Sequence, residues 1–283
     1  MLSNKVVLAT DYSEIAQKLI NCLDELKILG IDEVILIHVL DIQPSKLLNL
    51  DKIKESNYKR LELVKEQIEA KNFRVKIKVP IGSPAPEIDR VACEENADLI
   101  LMASHGKGYI KRLFLGSTTY NLIRQTKKSI LIEKYENIED ETKIACSRKF
   151  TRILIPIDFS ERSMSAVKLV KELKNKAEEI ILLNVIESKR SFATIDEARL
   201  DAEKKLNNIA EEIKGSNITE KATVKIKEGS ASENIINLAA AENIGLIIMS
   251  KKGKGNLKHL FIGSTSERVT KESPFPVLLV SSK

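Results

Sequence analysis

Residues 102–118 read MASHGKGYIKRLFLGST, and residues 249–265 read MSKKGKGNLKHLFIGST. They share both glycine positions, a Leu-Phe pair and the Gly-Ser-Thr ending. The match extends along the chain. KVVLATDYSE (5–14) aligns with RILIPIDFSE (152–161), VILIHVLD (34–41) with IILLNVIE (180–187), and VPIGSPAPEI (79–88) with IKEGSASENI (226–235). An internal repeat constrains folding strongly, because its period sets the unit that must build a core. Here the period is about 140 residues, enough for each copy to be a domain with its own core. The reading is therefore a first domain at 1–135, a polar linker at 136–149 without apolar periodicity, and a second domain at 150–283.

Each copy alternates short apolar runs with helical patterns. In the first, VVLAT, VILIHV, FRVKIKV, ADLILMA and SILIEK read as five strands. Between them, EIAQKLINCLDELKIL, the stretch around Tyr58–Ala70, the segment near Ala85–Glu95 and the residues from Gly116 onward read as helices. Unbroken Val/Ile/Leu runs are what strands covered on both faces require. FRVKIKV alternates instead, which predicts an edge strand with one wetter face. Alternating β and α elements with right-handed crossovers give an α/β fold. The expectation is two tandem, doubly wound, open parallel five-stranded sheets of Rossmann-like type, with helices on both faces.

Composition removes several function classes. Tryptophan is absent and aromatics are 4% of the chain, which argues against a stacking platform for bases or sugars. The net charge is +6, all of it in the second half, and no run of five or six basic residues occurs. That pattern suits a phosphate-bearing ligand and predicts no nucleic-acid partner. No apolar run reaches the roughly 20 residues needed to cross a bilayer, so no membrane partner is expected. An aspartate arrives too early in MLSNKVVLATDYSE for a signal peptide, and the expected location is cytoplasmic. Cys22, Cys93 and Cys146 have no CxxC spacing and read as reduced residues, with no metal site.

In a doubly wound sheet the binding crevice lies beyond the carboxyl ends of the strands, where strand order reverses. That rule selects Ala9-Thr10-Asp11, Val39-Leu40 and Ala103-Ser104-His105-Gly106 in the first copy. In the second it selects Pro156-Ile157-Asp158, Val185-Ile186 and Ser250-Lys251-Lys252-Gly253. A carboxylate after the first strand can accept hydrogen bonds from two vicinal ribose hydroxyls. Gly106-Lys107-Gly108, and Gly253-Lys254-Gly255 in the repeat, leave room for a phosphate and permit positive φ. Lys107 and Lys254 add charge nearby. Gly116-Ser117-Thr118 and Gly263-Ser264-Thr265 open a helix whose free N–H groups attract anions. Neither a Walker GxxxxGK[ST] nor a GxGxxG after the first strand is present.

With these motifs in place, both halves of the chain resemble the universal stress protein family. Its nucleotide-binding branch carries G-x-x-G-(nine residues)-G-(S/T) after the fourth strand. The first copy reads Ala-Ser-His-Gly, KGYIKRLFL, Gly-Ser; the second reads Ser-Lys-Lys-Gly, KGNLKHLFI, Gly-Ser. The last two glycines and their spacing are kept, while the first glycine is Ala103 in one copy and Ser250 in the other. These small replacements predict weakened rather than abolished binding. The resemblance implies that Asp11 and Asp158 contact ribose and that Val39 and Val185 meet adenine through the backbone. It also implies that the glycine loops with Ser117 and Ser264 hold phosphates. The implied ligand is ATP or a related adenine nucleotide, with magnesium as a companion ion. Pro156 matches the residue the family favours two places before the aspartate, and Ala9 does not. With the charge, this makes the second copy the better candidate. The family also implies pairing of the two lobes through their last strands, SILIEK (129–134) and FPVLLVSS (275–282). A homodimer and an unidentified protein are further expected partners.

Other readings stay open at this level. Asp11 and Asp158 suit helix N-caps, as do Ser117 and Ser264. His38, opposite Asn184 in the repeat, reads as a hydrogen-bonded core residue. His105 aligns with Lys252 and His259 with Arg112, which points to electrostatics and names no general base. The basic residues from Lys251 to Lys258 suit a solvated loop. Gly82 and Gly229 fit a tight turn before the third helix. Function is therefore expected to be regulatory nucleotide binding in a stress response. A nucleotide-free assembly module and a slow ATPase are the alternatives, and no catalytic residue is assigned.

Overall fold

The computed structural model describes residues 2–41, 49–104, 115–138, 141–144, 148–173, 177–186, 192–253 and 262–281. His105, Gly106, Lys107, Gly108, Lys254, Gly255 and Cys146 lie outside the described residues. The chain divides into two compact units, Leu2–Ile144 and Ala145–Lys283.

In the first unit, β1 (Lys5–Ala9), β2 (Glu33–Ile37), β3 (Arg74–Lys78), β4 (Leu99–Ala103) and β5 (Ser129–Glu133) are the five expected strands. They stand in the order β3-β2-β1-β4-β5, all neighbours parallel. In the second unit β8 (Arg152–Pro156), β9 (Glu179–Ile186), β10 (Ala222–Glu228), β11 (Leu246–Ser250) and β12 (Val277–Val280) repeat the order as β10-β9-β8-β11-β12. These pairs are parallel too. Strand order reverses between β1 and β4, and between β8 and β11.

The central strands are dry. Val6, Val7, Ile100 and Leu101 have no exposed surface, nor do Ile153, Leu154, Ile247 and Ile248. Each such side chain contributes about 1.5–3 kcal/mol by leaving water. β3 has a half-buried, alternating pattern and lies at a sheet edge, as its sequence predicts.

The helix after β1 differs from its sequence reading. One continuous helix is predicted over 14–29; the structure has α1 (Glu14–Lys18), a 3-10 turn at Leu19–Cys22, α2 (Leu23–Leu26) and a second 3-10 turn at Lys27–Leu29. Gly30, with φ 79°, ends the series in a left-handed cap. The later helices are α3 (Leu50–Glu69), α4 (Pro84–Glu94) and α5 (Ser117–Gln125). In the second unit they are α6 (Glu161–Lys171), α7 (Phe192–Gly215), α8 (Ala231–Ala241) and α9 (Ser264–Glu272). Gly82 and Gly229 take φ of 147° and 105° just before α4 and α8, which is the tight turn expected there.

The segment read as a polar linker contains most of a hairpin. β6 (Tyr135–Ile138) and β7 (Glu141–Ile144) pair antiparallel, with Tyr135 opposite Ile144 and Ile138 opposite Glu141. Main-chain pairing of two four-residue strands needs no apolar period, which is why the polar sequence did not announce it.

Candidate functional site

The repeat carries the same local build at the end of its first strand. In the first unit Asp11 Oδ1 accepts the Ser13 N–H at 2.9 Å, and Ser13 Oγ accepts the Ala16 N–H at 3.1 Å. In the second, Asp158 Oδ1 accepts Ser160 N–H at 3.0 Å and Ser160 Oγ–H at 2.6 Å, while Ser160 Oγ accepts Ser163 N–H at 3.1 Å. The helix caps are therefore Ser13 and Ser160, not the aspartates. Asp11 and Asp158 instead brace the turn that precedes each cap. The residue between them is an aromatic in the left-handed region, Tyr12 at φ 59° and Phe159 at φ 61°. A non-glycine residue held there costs about 1–3 kcal/mol, a pattern that clusters at ligand sites.

The second strand braces the same turn. His38 Nδ1 lies 2.8 Å from Thr10 O, and Asn184 Nδ2 donates to Ile157 O at 2.7 Å. A carbonyl only accepts, so His38 carries its proton on Nδ1. The shared partner explains why His and Asn exchange at this repeat position; the hydrogen bond is as expected, but His38 is half-buried and lines the first cavity and is not a core residue. His38 also packs on Tyr12, ring centroids 4.2 Å apart, and the Arg60 guanidinium sits 3.9 Å from the Tyr12 ring centre. Burial pushes the Tyr12 hydroxyl up to about 12, with Arg60 pulling the other way. In the second unit Lys205 of α7 lies 5.5 Å from the Phe159 ring centre and pairs with Asp201 at 2.6 Å.

At the fourth strands, the chain returns to the strand end through matched bonds. Gly116 N–H donates to Ser104 O at 2.7 Å, and Thr119 Oγ–H to Ala103 O at 2.9 Å. Gly263 N–H donates to Lys251 O at 2.7 Å, and Ser266 Oγ–H to Ser250 O at 2.9 Å. Gly116 and Gly263 are the N-caps of α5 and α9, and neither helix has a side-chain cap bond. Ser117 and Ser264 are thus the first helical residues and not caps. Uncapped N–H groups there leave the positive end of the helix dipole available to an anion.

Each unit has a cavity at this switch point. The first, of about 600 Å³, is lined by Asp11, Val39, Ala103, Gly116, Ser117 and Thr118 among others. The second, of about 670 Å³, is lined by Pro156, Asp158, Val185, Ser250, Lys252, Gly253, Gly263, Ser264 and Thr265. Both volumes lie within the usual range for small-molecule sites. Ser104 and Lys251, which the strand-end rule selects, line neither of these two cavities. Both are buried, and their backbone N–H groups donate to Glu133 O and Val280 O on the neighbouring strand. α7 contributes Ala198, Asp201, Ala202 and Lys205 to the second cavity. That contribution was not legible in sequence, because α7 has no motif and its i, i+3, i+4, i+7 face reads as ordinary packing. Thr119 and Ser266 were missed as well. Their signal was a hydroxyl at one repeat position in both copies.

The positive φ expected of this loop is not found at Gly253. Its φ is outside the left-handed region, but a Cβ there would collide with Oδ2 of Asp158. The glycine thus lets the chain just after β11 press against the Asp158 carboxylate. Among the described residues no group of three or more His, Cys, Asp or Glu is placed to hold a metal ion. No helix among them is long and apolar enough to cross a membrane.

The fold and its crevices define a duplicated, doubly wound α/β protein with a switch-point cavity in each lobe. The universal stress protein family model matches twice, over residues 3–134 and 149–281. The chain belongs to the universal stress protein family, with two copies of its domain. A universal stress protein of Methanocaldococcus jannaschii, MJ0577, is 30% identical over 159 residues, spanning 48% of this chain and 98% of that protein. A second from the same organism, MJ0531, is 30% identical over 145 residues, spanning 47% of this chain and 83% of that protein. The crystal structure of a universal stress protein from Archaeoglobus fulgidus superposes with a TM-score of 0.75 at 26% identity, covering 99% of each chain.

Proposed function

We propose that this chain is an adenine-nucleotide-binding regulatory protein of stress response, with the second lobe its principal site. One observation carries the reading: Asp158, Val185, Gly253 and the uncapped start of α9 at Ser264-Thr265 surround a single ligand-sized cavity. A carboxylate, a strand end and an N–H-rich helix start are the separate needs of ribose, base and phosphate. ATP fits this set, and with no protein metal cluster among the described residues, magnesium would arrive on the phosphates. Occupancy would act on partners, or on pairing of the lobes, only through unequal affinity for their alternative arrangements. The expected setting is the cytoplasm.

The alternative is an assembly module without nucleotide. It is favoured by Ala103 and Ser250, each of which brings a Cβ into the cavity lining where the family motif has glycine. Isothermal titration of the full chain with ATP and magnesium decides between them. Saturable heat that is lost in Asp158→Ala supports the nucleotide reading; no heat at millimolar ATP sinks it and leaves the assembly module.

A further inference from the structure

Residues 250–253, the described start of the second lobe's glycine loop, are fastened by more than the strand-end bonds. Both lobes have the matched pair of bonds at the strand end described above. The second lobe adds two more. Ser250 Oγ–H donates to Lys252 O at 2.6 Å, closing the loop's first turn on itself. Arg162, in the first turn of α6, donates from Nη1 to Gly253 O at 3.3 Å and so ties the loop to a different element. The repeat position of Ser250 is Ala103, and that of Arg162 is Ile15. Neither alanine nor isoleucine has a side-chain donor, so the first lobe cannot make these bonds. The replacement of glycine by serine at 250 is therefore more than a loss: it installs a staple.

We propose that Ser250 and Arg162 are positioning residues that preorganise the glycine loop of the second lobe. They make this lobe a tighter site for a phosphate-bearing ligand than it would be without them. The ligand part rests on the nucleotide reading; the loop part rests on the hydrogen bonds alone. A loop that binds an anion through its backbone must be ordered in the complex, and order already present in the free protein does not subtract from affinity. In the nucleotide reading the phosphates are the part assigned to the loop backbone and the start of α9, so the benefit should fall on them. A bare nucleoside gains nothing from it.

The experiment uses the full chain carrying S250A and R162I, singly and together, each copying the first lobe. Hydrogen exchange by mass spectrometry reports on residues 251–253. ATP and adenosine titrations in an Asp11→Ala background report on the second lobe. In the double variant, exchange in that segment should accelerate about tenfold. ATP affinity should fall about tenfold and adenosine affinity stay within about twofold, as expected for lost preorganisation. The reverse transplant, A103S with I15R in an Asp158→Ala background, should tighten ATP at the first lobe. Unchanged exchange in the double variant overturns the proposal whatever the ligands do. Faster exchange with equal losses for ATP and adenosine overturns its phosphate-specific part. Faster exchange in a chain whose unmodified form binds neither ligand supports the loop positioning and overturns the nucleotide reading instead.

Discussion

Alanine at position 253 and alanine at position 263 separate two glycines that a sequence motif treats alike. At 253 the new Cβ would overlap Oδ2 of Asp158. The opposite oxygen of that carboxylate is held by Ser160 through bonds of 3.0 and 2.6 Å. Relief requires the carboxylate to turn or the loop to retreat. Turning gives up two hydrogen bonds to a charged acceptor, each contributing at least about 1.5 kcal/mol. Water recovers part of this at a half-buried site, leaving a loss of about 2 kcal/mol, or about 30-fold in affinity. At 263 the nearest atoms to a new Cβ are Lys251 O and Lys252 Cα, both at 3.6 Å, and φ is −81°. Alanine fits there, and only a less favourable N-cap is expected, at about 0.5–1 kcal/mol, or no more than about fivefold. Titration of ATP into Gly253→Ala and Gly263→Ala, each in an Asp11→Ala background, checks the difference. The reasoning is refuted if Gly253→Ala binds like the parent, or if Gly263→Ala loses as much.

Three further outcomes follow from the packing. His38→Asn should keep the bond to Thr10 O that Asn184 makes to Ile157 O, and change stability by less than about 0.5 kcal/mol, whereas His38→Ala should lose about 1 kcal/mol; urea unfolding distinguishes them, and equal losses would count against the shared role. Gly245→Ala drives a Cβ to 2.7 Å from Lys149 O and 2.8 Å from Arg148 O, main-chain atoms that cannot swing aside. It should destabilise the second lobe by about 1–3 kcal/mol in a thermal or urea melt, and a neutral result would refute the close approach. Burial disfavours the charge on Glu179, but hydrogen bonds from Thr223, Lys221 and Arg152 outweigh it and hold its pKa below the ordinary 4.5. The unfolded chain then binds the proton more readily, so this contribution is full above the unfolded pKa and disappears as pH falls through the folded one. Glu179→Gln should flatten the acid limb of the stability profile, and an unchanged limb would contradict the assignment.

The amino-acid sequence by itself determined the duplication, the five strands of each lobe, the edge position of Arg74–Lys78 and the strand ends that border the two cavities. These are properties of periodicity and order along the chain, and burial on one or two faces writes them directly into the residue pattern. The pairing of Asp158 with the loop after β11 was legible only as a rule about strand ends. Tertiary structure decided which atom meets which: Ser13 and Ser160 as caps, Gly253 against Asp158, Arg162 on Gly253, and one face of α7 in the second cavity. It also decided that the backbone N–H groups of Ser104 and Lys251 bond into the sheet and that neither residue lines the two cavities. Arg162 and Gly253 are 91 residues apart, and their contact depends on how α6 packs beside β11. No local pattern encodes such a distance. It is fixed when the crossovers lay helices on the sheet and the close-packed interior leaves each side chain one place to go.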